Sequence, residues 1–126
     1  MTTKYALVVM CETGEANPGG QGRMLHVLKT AKEFKAAGIP FGIFFHGIGV
    51  QWLTAFNARA DKFTQVYGPL FDEVHDAIGG ACHFCAATRF GAGDAAEHLG
   101  VPLLGQPGDH HTVAALIAEG YQPIVF

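Results

Sequence analysis

The chain has 126 residues, about half of them apolar, a formal net charge of −3, and 17 glycines. That length suits one domain with a substantial core, and the absence of a basic cluster excludes nucleic acid or an anionic membrane surface as a partner. Sparse charge and abundant glycine fit an α/β protein whose buried strands are apolar on both faces. No stretch approaches the roughly 20 apolar residues of a membrane helix, and the N-terminal residues lack a secretory-signal pattern. Three cysteines are an odd count, too few for a secreted disulfide scaffold. They point to a cytoplasmic setting with reactive, metal-binding or buried thiols.

Tyr5 to Met10 is a continuous apolar run with β-branched members and reads as a buried strand ending at Cys11. The segment Glu12 to Gly22 is rich in turn formers and reads as a long loop. A first helix is predicted from Arg23 to Ala37, with Leu25, Leu28, Ala31 and Phe34 forming its apolar stripe and Gly38 ending it. Ile39 to Phe45 is the second strand, with Pro40 at its start. His46 to Gly49 makes a turn, and Val50 to Phe56 a second helix. Asn57 to Gln65 reads as a polar surface excursion. A third helix is predicted from Pro69, burying Leu70, Phe71, Val74, Ala77 and Ile78 and ending at Gly79.

The third strand, Gly80 to His83, has little propensity of its own and is placed because the alternation of elements requires one there. A short helix starts at Cys85. Another starts at Asp94, with a capping-box pattern through Glu97, and stops at Gly100. Val101 to Leu104 is the fourth strand. Asp109 is positioned to cap a last helix that buries Val113, Leu116 and Ile117, and Tyr121 to Phe126 is the fifth strand. This order predicts a three-layer α/β/α sandwich with a mostly parallel five-stranded sheet.

In such sheets sites lie beyond the carboxyl ends of the strands. The residues predicted there are chemical ones: Cys11, then His46, then Cys82, His83 and Cys85. Cys82 and Cys85 form a C-x-x-C pair at a strand-to-helix junction, where unpaired backbone N–H groups favour thiolate. The pair reads as a reactive thiol with a resolving partner, or as two small buried residues. A metal reading needs further ligands: Cys11 and His46, or His83, would complete a thiolate–imidazole set with Cys82 and Cys85 suited to zinc or another thiophilic metal. Arg89, one turn after Cys85, stabilises a thiolate or makes an ion pair. His110 and His111 read as solvent-facing. The glycines of the first loop lack both the P-loop and the dinucleotide-binding spacing. Trp52 and Phe56 read as core or as a subunit contact.

Three stretches carry a resemblance: Phe45 to Val50 with its Gly-Ile-Gly-Val turn, Cys85-Ala86-Ala87-Thr88-Arg89, and the closing helix Thr112 to Glu119 followed by a strand. Together they resemble the DsrE/DsrF-like superfamily, which includes the TusD-type sulfur-relay subunits and the YchN-like proteins. The resemblance implies a small α/β/α domain that assembles into trimers or hexamers. It also implies a cysteine at the position of Cys85 that takes up persulfide sulfur from a donor protein and passes it to an acceptor. Cys82, Cys11 and the glycine-rich loop are additional to that pattern. The leading expectation is therefore a cofactor-free sulfur carrier or sulfurtransferase. Cys85 would be the acceptor and Cys82 the resolving thiol, with Cys11, His46, His83 and Arg89 assisting. The alternative is a non-catalytic oligomeric module that uses the same pocket for a metal or small ligand.

Overall fold

A computed structural model describes residues 2–126. Five strands, β1 (Lys4–Val9), β2 (Phe41–Phe45), β3 (Ile78–Cys82), β4 (Leu103–Leu104) and β5 (Tyr121–Val125), form one sheet in the order β4-β3-β2-β1-β5. Every pairing is parallel, not merely most of them. Five α-helices connect them: α1 (Pro18–Ala37), α2 (Gln51–Ala58), α3 (Lys62–Val74), α4 (Gly93–Leu99) and α5 (Val113–Ala118). No helix among the described residues is long and apolar enough to cross a membrane.

Successive side chains of a strand point to opposite faces, and the core divides accordingly. Leu7, Val9, Ile43 and Phe45 pack with Met24, Val27, Leu28 and Ala31 of α1, Trp52 and Phe56 of α2, and Phe71 and Val74 of α3. The alternate residues Ala6, Val8 and Phe44 pack with Leu116 of α5. The last connection therefore passes back across the sheet, from β4 at one edge to β5 at the other, on the face away from α1 to α3. Trp52 and Phe56 are core, each 1% exposed, and the Trp52 indole donates to the Cys11 carbonyl at 3.0 Å.

Helix α1 starts at Pro18, five residues earlier than expected, so Gly19, Gly20 and Gly22 are helical. Pro18 suits the first turn, where its missing N–H costs nothing. Gly20 is there for contact: a Cβ would lie 2.0 Å from the Glu12 carbonyl oxygen. The buried stripe is Met24, Val27, Leu28 and Ala31, with Leu25 only half-buried.

The predicted surface excursion 57–65 is mostly helical. Helix α2 runs to Ala58, Arg59 turns the chain with φ 50°, and Asp61 caps α3 by accepting from the Thr64 N–H at 2.8 Å. Arg59 also pairs with Asp72 across the turn. Pro69 stands inside α3 rather than at its start. The Gln65 carbonyl it leaves unbonded belongs to a solvent-exposed residue, which limits the cost.

Strand β3 begins at Ile78, a residue expected to end the preceding helix. Gly79 and Gly80 suit this strand sterically: Cβ atoms there would meet the Phe44 ring at 2.5 Å and the Leu104 side chain at 2.6 Å. After β3 the chain makes a π-helical turn, Phe84–Arg89. Helix α4 starts at Gly93, so Asp94 lies in its first turn and makes no capping bond. Thr112, not Asp109, caps α5 by accepting from the Ala115 N–H at 3.3 Å. Ile117, expected in the core, is 57% exposed, because the six-residue α5 turns only Leu116 fully onto the sheet.

Candidate functional site

The carboxyl ends of β1, β2 and β3 bring the expected residues to one end of the sheet, and the loop after β4 adds two more. Cys82 is the last residue of β3, and Cys85 lies in the first turn of the π-helical segment. Both are buried free thiols. Each sulfur lies 3.5 Å from Nδ1 of His110. The three ligand-type atoms fall within 4.8 Å of one another, the one such group of three among the described residues.

His110 is held from both sides. The Phe84 N–H donates to the Asp109 carbonyl at 3.3 Å, tying the loop to the start of the π-helical turn. The Phe84 ring packs against the imidazole with centroids 4.5 Å apart, and the Asp109 carboxylate accepts from the His110 N–H at 2.8 Å. His110 is itself exposed, so this imidazole links two buried sulfurs to solvent.

Burial raises the Cys85 thiol, and the neighbouring Cys82 raises it further through a hydrogen bond and charge. The Gly47 N–H and the Arg89 charge act in the opposite direction on the same sulfur. The expected helix-terminus activation is therefore outweighed: Cys85 rests as a protonated thiol near neutral pH. Gly47 reaches this position through a tight turn. It has φ 55°, and Gly49 passes so close to β1 that a Cβ would sit 1.9 Å from the Val9 carbonyl oxygen. That approach explains the Gly-Ile-Gly spacing sterically.

The metal set drawn from the sequence is not assembled. Cys11 and His46 do not belong to the Cys82–Cys85–His110 group. The Cys11 thiol is buried and pushed up by that burial, and the residue lines a separate cavity of about 310 Å³ with Glu12, Asn17, Gly20 and Arg23. His46 instead hydrogen-bonds His111, Nε2 to Nδ1, at 3.1 Å. Burial, then the His111 charge, lowers His46 to about 4. His111, expected to face solvent, is buried against Phe44, with its Nε2 3.5 Å from the Glu119 carboxylate. That contact lacks hydrogen-bond alignment. Nδ1 of His83 is buried with no partner among the described residues. Arg89 is exposed and lies over the Phe90 ring at 5.4 Å.

His110 is the site residue missed from the sequence. The strand-end rule that singled out Cys11, His46 and Cys82 applies equally to the loop after the fourth strand. The fold and site thus define an all-parallel α/β protein with a dithiol–imidazole cluster at the carboxyl end of its sheet. Compared with known protein families, characterised proteins and solved structures, the chain gives no match.

Proposed function

We propose that the protein carries sulfur as a persulfide on Cys85. The observation that supports this reading is the shared position of His110, with its Nδ1 3.5 Å from both thiols of the pair. Because burial disfavours a resting thiolate, activation falls to this imidazole, which takes the thiol proton as the nucleophile forms. The Cys85 sulfur then attacks the outer sulfur of a donor persulfide. The donor S–S bond breaks, the donor leaves as a thiolate that takes up the proton, and Cys85 holds the transferred sulfur. An acceptor thiol repeats the exchange in the outward direction, so the cycle is redox-neutral. If Cys82 instead attacks Cys85, the products are hydrogen sulfide and a Cys82–Cys85 disulfide, which a small thiol reduces. The Gly47 N–H is oriented to stabilise negative charge on the Cys85 sulfur.

The reading includes a reducing, cytoplasmic setting and assembly into trimers or hexamers. Exposed Ile117 of α5 and Val125 of β5, level with Val8 on the α5 face, support the latter as apolar surface on that side of the sheet, and exposed Ile124, level with Leu7, adds apolar surface at the same edge strand on the other side. The mass of the assembly in solution tests it, and a monomer at micromolar concentration removes that part.

The test of sulfur carriage is mass spectrometry of the reduced chain after incubation with a small-molecule persulfide. A gain of one sulfur atom on Cys85, discharged by added thiol and absent in Cys85→Ser, is expected. A chain that stays unmodified, or gains sulfur only on Cys11, overturns the reading.

A further inference from the structure

We propose that Cys82, Cys85 and His110 form a three-ligand site for zinc(II), with the fourth position open to solvent. A neutral imidazole offers one lone pair at Nδ1, so it can satisfy one thiol at a time. Yet both sulfurs stand at the same 3.5 Å from it. A cation at the centre of the three atoms engages all of them at once.

The distances suit that ion. Tetrahedral bonds of about 2.3 Å to sulfur and about 2.0 Å to nitrogen put sulfur and nitrogen about 3.5 Å apart. The corresponding sulfur–sulfur separation, about 3.8 Å, lies inside the 4.8 Å span of the group. The donor set is two sulfurs and one nitrogen with no carboxylate, which selects a thiophilic ion over magnesium or calcium.

The imidazole is already positioned by its neighbours. Phe84 packs on the imidazole, and the Asp109 backbone carbonyl is tied to the Phe84 N–H. These hold the ring with Nδ1 toward the sulfurs. Binding converts both thiols to thiolates and releases two protons, leaving a neutral Zn(Cys)₂(His) centre. The exposure of His110 leaves the remaining position accessible to water. Zinc also draws electron density from the Cys85 sulfur and lowers its nucleophilicity, so a loaded site accepts sulfur more slowly. That consequence rests on the persulfide reading, whereas the zinc site itself does not.

The experiment is a zinc titration of the full, reduced chain under anaerobic conditions against a chromogenic chelator, with cobalt(II) as a spectroscopic substitute. One ion per chain is expected, with a thiolate-to-cobalt charge-transfer band and the intense visible bands of a tetrahedral site. Cys82→Ser, Cys85→Ser and His110→Ala should each weaken binding by about 100-fold or more, while Cys11→Ala leaves it unchanged. His110 is exposed, so its variant tests the ligand without removing core. Absence of stoichiometric binding overturns the site, as does a cobalt spectrum without the thiolate band, undiminished affinity in His110→Ala, or loss in Cys11→Ala.

Persulfide loading of zinc-free and zinc-loaded protein separates the two readings. Uptake that zinc slows supports both. Zinc binding with no uptake in either form keeps the metal site and removes sulfur carriage. Uptake with no zinc binding does the reverse.

Discussion

His46 and His111 meet in the interior with Nε2 of one 3.1 Å from Nδ1 of the other, so a proton added to His46 faces a second imidazole rather than water. Glu119 approaches only the far nitrogen of His111, and Phe44 stacks on that ring. Burial and this neighbour hold His46 at about 4 in the folded chain, against 6.5 in an unfolded one. Between those values the unfolded chain binds the extra proton. The contribution is therefore fully present above pH 6.5 and is lost as pH falls toward 4. Its size is at most about 3 kcal/mol. Urea denaturation between pH 7 and 4.5 should show the midpoint falling, with the His46 ring signals in NMR still those of a neutral imidazole at pH 5. A His46 titration near 6.5 contradicts the assignment.

On the proposed persulfide chemistry, the imidazole of His110 is the base for a thiol that burial keeps protonated. Replacing it with alanine should slow sulfur uptake at neutral pH by about 100-fold, the usual size of a general-base contribution. Alkaline pH, which ionises Cys85 without help, should restore most of the loss. A variant slowed equally at all pH values would mean that His110 only positions the sulfurs.

Trp52 fills the core beneath the end of β1 and donates its indole N–H to the Cys11 carbonyl. Trp52→Ala should destabilise the protein by about 3–5 kcal/mol. Trp52→Phe keeps most of the apolar volume and loses the hydrogen bond, with a cost of about 1–3 kcal/mol. Chemical denaturation of both variants distinguishes packing from the bond.

Two glycines of α1 should respond in opposite directions. A methyl at position 20 collides with the Glu12 carbonyl, whereas nothing lies within 4 Å of one at position 22. Gly22→Ala should raise stability by about 0.5–1 kcal/mol through helix propensity. Gly20→Ala should lower it and displace the loop before α1, seen as shifted backbone resonances for Glu12 and Thr13.

Strand positions were legible wherever an apolar run was long. β1 and β2 lie close to where Leu7 and Ile43 suggest, and β5, with only a short apolar end at Ile124 and Val125, follows from its place after Gly120. The carboxyl-end rule singled out Cys82 and Cys85, and the structure brings their sulfurs together beside His110. The misreadings have local causes. Glycines that read as loop sit in a helix because Gly20 must pass the Glu12 carbonyl. Pro69 reads as a helix start but stands on an exposed helix face that tolerates a missing bond. Ile78 reads as helical because its strand, Ile-Gly-Gly-Ala-Cys, has glycines where Phe44 and Leu104 need space. His110 carried no periodicity, and its contact with the thiols comes from tertiary placement alone.

The strand order has a consequence for how the protein is made. Cys82 and Cys85 are three residues apart and come together as soon as their own turn forms. His110 lies 28 and 25 residues from them and follows β4, in the segment that carries the chain back across the sheet. During synthesis the two sulfurs are therefore neighbours before their imidazole exists. The growing chain passes through an interval in which it can trap an oxidant or a stray metal ion, and docking of the last helix and strand brings that interval to an end.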